Sequence, residues 1–285
     1  MQKILDCFYS LAPKIADLIA SSETSYMASS NASGDMQLAL DVQSDVLIEQ
    51  ELSQIESVHS IFSEEKEQVC LVNERGEFYL AYDPIDGSSL IDSNLSVGTI
   101  FGIYKGAFEA KQLVASGYIL YGPRLEIVLA CKGEKGLKHE RFNPKSQKWE
   151  EQKRLVLESR GKLNAPGGSQ KYWSKEHKMM IDSLFAEGYR LRYSGGMVPD
   201  LHQILIKKGG LFSYPATSSA PNGKLRKLFE VFPFALIFEC AGGEAIDGKR
   251  RLLDLEVLES HESCPCFFGS QEEILKVRKL YEEGQ

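Results

Sequence analysis

The stretch Tyr79-Leu-Ala-Tyr-Asp-Pro-Ile-Asp-Gly-Ser-Ser-Leu-Ile-Asp-Ser-Asn-Leu-Ser-Val-Gly-Thr-Ile-Phe-Gly-Ile-Tyr104 decides the reading of the chain. It begins in an apolar, aromatic run, Phe78 to Tyr82, that reads as a buried strand. Two aspartates, Asp83 and Asp86, follow in the turn at the strand's end, with Pro84 between them removing one N–H donor. Gly87, Ser88 and Ser89 are small enough for backbone amides to converge on an anion. A second apolar run, Val97 to Tyr104, is the next strand. Asp-Pro and Asp-Gly are also ordinary turn dipeptides. Apolar runs on both sides, however, put this turn at the end of core strands, where open α/β sheets place their ligands. Hard oxygen ligands beside bare amides point to metal-assisted phosphoryl chemistry.

The bounds from composition agree. The chain of 285 residues is 43% hydrophobic and 26% charged, which describes a globular protein with a sizeable core, in one large domain or two packed ones. A net charge of −7 argues against nucleic acid as a partner and fits clustered carboxylates neutralised by cations. No apolar run approaches the roughly 20 residues that span a bilayer. Neither a membrane partner nor a signal peptide is expected, and a cytoplasmic location is. The six cysteines show no zinc or redox spacing and read as reduced, mostly buried thiols. There is no internal repeat and no low-complexity tract.

Along the chain, Ile4, Leu5, Phe8, Leu11, Ile15, Leu18 and Ile19 predict an amphipathic helix over residues 4 to 20, kinked or broken at Pro13. Residues 21 to 36 are small and polar and read as a mobile loop. Leu38 to Ile55 predicts a second helix, and Ser60-Ile-Phe-Ser-Glu-Glu ends an apolar stretch in two acids, Glu64 and Glu65, by themselves an ordinary solvated pair. Leu113 to Tyr121 and Leu125 to Cys131 form a strand pair, and the charged segment Gly136 to Arg154 covers an edge or leads to a linker. In the second half, Leu155 to Ser159 is strand-like, Asn164 to Ser169 a loop, Trp173 to Gly188 a helix and Arg190 to Tyr193 a short strand. Asp200 to Lys208 reads as a helix, Leu211 to Tyr214 as a strand and Lys224 to Cys240 as a buried helix despite Pro233. Glu230 sits between Phe229 and Phe232, where a carboxylate needs a partner, a metal or a lysine. Lys224 and Glu230 are six apart, so Lys224 belongs in the turn before the helix.

Four blocks then carry a resemblance. They are Gly34-Asp35 with Leu40-Asp41, Ser63-Glu64-Glu65, Asp83-Pro-Ile-Asp86-Gly-Ser-Ser-Leu-Ile-Asp92, and Asn222-Gly-Lys224-Leu-Arg226-Lys-Leu-Phe-Glu230. Arg192 to His202, Tyr214-Pro-Ala and Cys240-Ala-Gly-Gly add to them in collinear order, from about Asp35 to Ser270. The chain closely resembles the class I fructose-1,6-bisphosphatases, within the larger group of inositol monophosphatase-like, metal-dependent sugar phosphatases.

The resemblance implies an α/β fold of layered α-β-α-β-α type in two domains, residues 1–152 holding metals and 153–285 holding the sugar. It implies hydrolysis of D-fructose 1,6-bisphosphate in gluconeogenesis, with Mg²⁺ as cofactor and Mn²⁺ or Zn²⁺ able to substitute. Glu64, Glu65, Asp83, Asp86, the Ile85 carbonyl and Glu230 would ligate the metals. Asp41 with Glu65 would take the proton of the attacking water, and Asp35 would pair with Arg226. Asp86 and the amides around Gly87, Ser88 and Ser89 would meet the 1-phosphate. Asn164, Arg192, Tyr193 and Tyr214 would hold the 6-phosphate, with Arg192 reaching a neighbouring subunit's site in a homotetramer. Lys224 and Met197 would face the sugar. The chain departs from the family at Asn164-Ala-Pro-Gly-Gly-Ser169, and it carries Glu77-Phe78 where the AMP pocket has Lys-Tyr, which predicts weak or absent AMP inhibition. The rival readings are a sedoheptulose-1,7-bisphosphatase or broader sugar or inositol phosphatase and, from another class, a non-catalytic metal or nucleotide sensor.

Overall fold

The computed structural model describes residues 1–21, 26–30 and 36–283. Helix α1 (Gln2–Ser21) buries Ile4, Leu5, Phe8, Leu11, Ala12 and Ile15 on one face, as its spacing predicts. Of the kink or break expected at Pro13, the break does not occur: the helix continues through it. Burial of that face, including the Phe8 ring stacked 3.7 Å from Phe101, outweighs the hydrogen bond a proline removes.

The loop expected over residues 21–36 is partly strand: β1 (Tyr26–Ser30) pairs antiparallel with β2 (Met36–Leu38). Asp35 lies outside the described residues. Helix α2 (Ala39–Leu52) follows, shorter than predicted, with Asp41 in its first turn.

The large sheet is built from β3 (Val58–Ser63), β4 (Cys70–Leu71), β5 (Phe78–Asp86), β6 (Val97–Lys105), β7 (Leu113–Tyr121), β8 (Leu125–Cys131), β9 (Lys138–Asn143) and β10 (Lys148–Glu151). Its order is β10-β9-β8-β7-β6-β5-β3-β4, antiparallel except where β3 runs parallel to β5. The charged segment after Gly136 is therefore the edge hairpin β9–β10, neither cover nor linker: Lys148 to Glu151 pair in register with Glu140 to Asn143. Alternate residues serve opposite faces, so Ile119, Ile127 and Leu129 pack toward α1 and α2 while Tyr118 and Val128 pack toward the second half.

The second half contributes β11 (Leu163–Pro166), α3 (Lys175–Ala186), β12 (Arg190–Leu191), α4 (Met197–Ile206), β13 (Gly210–Tyr214), α5 (Phe232–Cys240), β14 (Glu244–Ile246), β15 (Cys266–Gly269) and α6 (Gln271–Glu283). Its sheet has the order β12-β11-β13-β15-β14. Leu155 makes only an isolated bridge to Leu137, so the strand expected there is absent. Asn164 lies inside β11, a strand where a loop was expected. Its Ala165 is fully buried, and apolar burial there overrides the turn signals of the Pro-Gly-Gly that follows.

Helices α4 and α5 lie between the two sheets, α1 and α2 cover the far face of the large sheet, and α3 and α6 cover the far face of the small one. The result is five layers, α-β-α-β-α, with one apolar cluster between each pair of facing layers or around the central helices. The central cluster joins both halves, with Phe62, Tyr104 and Tyr118 packed among residues such as Phe229, Phe234 and Phe268. Among the described residues no helix is long and apolar enough to cross a membrane. All six cysteines are free; only Cys264 and Cys266 are buried, fewer than expected. Burial still pushes the thiols up, Cys7 and Cys240 to about 11 and Cys264 to about 12, which leaves them weak nucleophiles.

Candidate active site

Strand β5 runs further than its sequence predicts and carries both aspartates inside it. The ladder with β6 shows why they still project as a ligand site. Asp83 pairs with Ile100 and Asp86 with Gly98, so three steps on β5 oppose two on β6. This bulge at Pro84 and Ile85 lets a proline sit in a buried strand and re-aims the flanking side chains. Asp83 Oδ1 accepts from the Ile85 N–H at 3.0 Å, and the Thr99 hydroxyl, itself 2.9 Å from the Tyr121 hydroxyl, donates to the Pro84 carbonyl at 2.7 Å. The bulge is thus tied down on both sides.

Glu64 stands at the end of β3, next to β5, and its N–H donates to the Tyr82 carbonyl at 3.0 Å. Glu230 comes from the second half. The helix predicted from Lys224 begins only at Lys227, with a π-helical turn, Lys227–Val231, that runs into α5. Pro233 falls in the first turn of α5, and the Leu228 carbonyl, which continues the π-turn pattern toward the missing N–H, accepts instead from the Tyr104 hydroxyl at 3.0 Å. The wide turn carries Glu230 on the site side, while Lys224 lies before it as expected.

Carboxylate oxygens of Glu64, Asp83 and Glu230 all lie within 4.8 Å of one another, and all three residues are buried. Burial pushes Asp83 well above the usual carboxylate range, and the charges of Asp86, Glu230, Glu65 and Asp41 push it the same way. Asp41 and Glu65 are thus near enough for their charges to act on Asp83. Burial also pushes Glu230 up, against Arg226 and Lys224, which favour its charged form. The Arg226 N–H donates to Glu230 Oε2 at 2.7 Å, and its guanidinium pairs with Glu64. The protein partner of Glu230 is therefore an arginine rather than the lysine considered. The pairing of Asp35 with Arg226 involves a residue outside those described.

Asp86 has a second role that the sequence did not suggest. Its oxygens accept from the Met197 N–H at 3.0 Å and the Val198 N–H at 2.6 Å, the first amides of α4. A carboxylate at a helix N-terminus is favoured by the unpaired amides and the dipole there. Burial nonetheless pushes Asp86 up to about 7, with Glu230 adding to the shift.

Gly87 follows at φ 77, a left-handed conformation that suits glycine, and a Cβ there would lie 3.1 Å from the Gly196 Cα. It opens a 3₁₀ turn, Ser88–Ser93, whose first amides have no partner within the turn by geometry.

The expected sugar-phosphate residues come from β11, from the segment before α4 and its first residue, from the end of β13 and from the turn before the π-helical turn. Asn164 is fully buried on β11 and neither side-chain polar atom has a hydrogen-bond partner. Its carbonyl accepts from the Arg192 N–H at 2.9 Å. Tyr193 lies near enough to Tyr214 to bear on it: burial raises the Tyr214 phenol to about 12, with Tyr193 and Glu230 adding, and partial burial raises Tyr193 against the Gly168 amide. Met197 is buried at the start of α4. The Arg192 side chain is exposed and donates to the Leu191 carbonyl at 2.7 Å, so within one chain it does not join the cluster. Lys224 is exposed beside Glu230. Asp200 was given no role by its sequence position, yet its carboxylate accepts from the Ser194 N–H at 2.8 and 3.0 Å and from the Gly195 N–H at 3.3 Å. It holds the turn that presents Arg192 and Tyr193; an Asp four to six residues after a Ser-Gly-Gly turn is the only local signal for it.

The donor set fits a hard divalent cation. It is all oxygen, it is buried and self-repelling, and Glu64 Oε2 is buried with no hydrogen-bond partner. Such a nest at the sheet end, next to a Gly-Ser-Ser turn, on five alternating layers, defines a metal-dependent phosphatase. Comparisons with known proteins narrow that class. Residues 1–153 match the model of the fructose-1-6-bisphosphatase N-terminal domain and residues 157–282 that of its C-terminal domain. The chain is 58% identical over 280 residues to the class 1 fructose-1,6-bisphosphatase of Helicobacter hepaticus, covering 98% of this chain and 99% of that protein. It is 49% identical over 284 residues to that of a Campylobacter jejuni strain, covering 99% and 100%. Among solved structures it resembles Leishmania major fructose-1,6-bisphosphatase in holo form, with TM-score 0.92 and 28% identity over 98% of this chain and 94% of that one. It also resembles a Toxoplasma gondii protein provisionally titled sedoheptulose-1,7 bisphosphatase, with TM-score 0.90 and 30% identity over 99% and 94%. The chain belongs to the fructose-1,6-bisphosphatase family, and is a phosphatase dependent on a divalent metal.

Proposed function

We propose that the chain hydrolyses D-fructose 1,6-bisphosphate to D-fructose 6-phosphate and phosphate, as a gluconeogenic enzyme. The observation that carries the site assignment is the convergence of Glu64, Asp83 and Glu230 oxygens within 4.8 Å, next to the Gly87 turn.

In this reading Glu64, Glu65, Asp83, Asp86, the Ile85 carbonyl and Glu230 hold Mg²⁺, which Mn²⁺ or Zn²⁺ can replace. A divalent cation bound there supplies Lewis acidity toward phosphoryl oxygens and a bound water of lowered pKa. Asp41 and Glu65 accept the proton of the attacking water, a role supported by their place in the field of Asp83. Amides around Gly87, Ser88 and Ser89 receive the 1-phosphate, with Asp86 holding that turn against α4. Lys224 faces the sugar and the phosphoryl group, and Met197 lines the sugar. Asn164, Tyr193 and Tyr214 receive the 6-phosphate, supported by the unpartnered amide of Asn164. Arg192, exposed in the single chain, reaches a neighbouring subunit's site in a homotetramer. Asp35 pairs with Arg226 from the preceding segment. Residues 1–152 form the metal-binding domain and 153–285 the sugar-binding one, supported by the ranges of the two family models. The enzyme works in the cytoplasm without nucleic acid or membrane partners.

A second reading, activity on sedoheptulose 1,7-bisphosphate, is favoured by the likeness to the Toxoplasma protein. Turnover of both bisphosphates and of an inositol phosphate, with and without Mg²⁺, tests both readings. Mg²⁺-dependent turnover of fructose 1,6-bisphosphate is expected, and Asp41→Ala is expected to abolish it in a folded protein. Turnover that ignores Mg²⁺, or is unchanged in Asp41→Ala, overturns the site assignment.

A further inference from the structure

We infer that Asp45 is a positioning residue that ties together three of the four segments bearing the carboxylates, an inference that rests on the function proposed above. Asp45 follows Asp41 by one turn on α2, and both are buried. Its two oxygens serve different segments. Oδ1 accepts from the Tyr82 hydroxyl at 2.7 Å, and Oδ2 lies 3.0 Å from the Lys66 ammonium. Glu49, the next turn of α2, shares that ammonium.

Each attachment point is next to a member of the site. Tyr82 precedes Asp83 on β5, and Lys66 follows Glu65. The Glu64–Glu65 turn has supports of its own from the same strands. The Glu65 N–H donates to Ser63 Oγ at 3.2 Å, and the Lys66 N–H to the Ser63 carbonyl at 3.2 Å. Ser63 pairs with Tyr82 across the parallel ladder, and the Lys66 carbonyl meets His261 Nε2 at 2.9 Å. Asp45 therefore closes a loop of contacts: α2 with Asp41, β5 with Asp83, and the turn with Glu64 and Glu65.

The chemistry favours such a link. A buried carboxylate must be matched by donors, and here the Tyr82 hydroxyl is fully buried while the Lys66 ammonium is partly open to water, so the charge-assisted pair is directional but screened on one side. Four acids near one point repel one another, so their spacing depends on what holds their backbones. A helix free to slide by a fraction of an ångström would move Asp41 relative to Asp83 without unfolding anything. Direct partners of metal-binding carboxylates are worth about 10- to 100-fold in affinity or activity, and Asp45, which acts through Tyr82 and Lys66 one residue away from the ligands, belongs at the low end of that range.

The experiment uses Asp45→Asn, Asp45→Ala, Lys66→Met and Tyr82→Phe in the full chain. Tyr82→Phe removes a single hydroxyl and retains the packing, so it serves if Asp45→Ala does not fold. Two readouts are taken: steady-state kinetics on fructose 1,6-bisphosphate, and Mn²⁺ binding to the substrate-free protein by electron paramagnetic resonance. The expected result is a kcat lowered about tenfold with KM within about twofold, and Mn²⁺ bound about tenfold more weakly. Asp45→Asn, which keeps an acceptor for Tyr82, is expected to retain more of both than Asp45→Ala. Folded variants with kcat and Mn²⁺ affinity within twofold of the parent, or with KM alone changed, overturn the inference. If the parent itself does not hydrolyse the sugar bisphosphate, the functional reading fails, and the Mn²⁺ arm still decides the role of Asp45.

Discussion

His177 sets up a pH dependence of stability that can be worked through from its surroundings. It lies in the first turn of α3 at 1% exposure, packed edge-on to Trp173 at 4.9 Å and near Phe267 at 6.0 Å. Neither ring nitrogen has a hydrogen-bond partner. Burial without a counter-charge lowers the imidazole from 6.5 to about 4, so the folded protein holds it neutral. Between those two values the unfolded chain binds a proton that the folded chain does not. Stability therefore rises with pH through this window, and falls as pH drops from 6.5 toward 4. At about 1.4 kcal/mol per unit, moving from pH 7.5 to pH 5 costs about 2 kcal/mol through this one group. The perturbation is His177→Leu, which has no titrating group and suits the apolar pocket. The assay is the denaturant midpoint of parent and variant at pH 7.5 and pH 5, compared as a difference so that other titrations cancel. The variant is expected to lose about 2 kcal/mol less than the parent on acidification. Equal losses in the two proteins would refute the argument that this ring is neutral and unsolvated in the fold.

Other expectations follow from the same structure. A Cβ at Gly98 would lie 2.4 Å from Val198 Cγ1, so Gly98→Ala pushes the first turn of α4 away from Asp86; thermal unfolding should show about 1–3 kcal/mol of destabilisation, with kcat reduced alongside. Burial pushes Glu126 up, but hydrogen bonds from His139, His202 and Arg141 outweigh it and hold the carboxyl well below the usual range. Glu126→Ala strands those partners between β8, β9 and α4 and should cost on the order of 3 kcal/mol by chemical denaturation, whereas a change under 0.5 kcal/mol would mean the cluster is already solvated. Glu77 occupies the position noted for the AMP pocket and lies 3.0 Å from the Lys105 ammonium, so an AMP titration of turnover should show no inhibition in the micromolar range; strong inhibition would contradict the reading of that acid.

Much of the site's chemistry was readable from residue types alone. Glu230 among phenylalanines declared an acid that needs a partner, and Asp83 and Asp86 on either side of a proline offered hard oxygen ligands at a strand end, whereas Glu64 and Glu65 read alone as a solvated pair and joined the site only through the family resemblance. The amphipathic face of α1 and the alternation of β7 and β8 were equally plain, because periodicity is a local property. Local signals misled at Pro13, at the Asn164 segment and at the start of the α5 helix. In each place burial against another layer, or a wide helical turn, overrode what the dipeptides favoured.

What the chain order by itself determined is the set of oxygen donors, their placement at the ends of core elements and the family they belong to. Which of those acids meet was decided only in three dimensions. The bulge in β5, the parallel pairing of β3 with β5 and the π turn before α5 bring Glu64, Asp83 and Glu230 within 4.8 Å, and α4 claims both oxygens of Asp86. The physical reason is that strand register and helix placement follow from the packing of five layers at once, and no window of sequence contains that information.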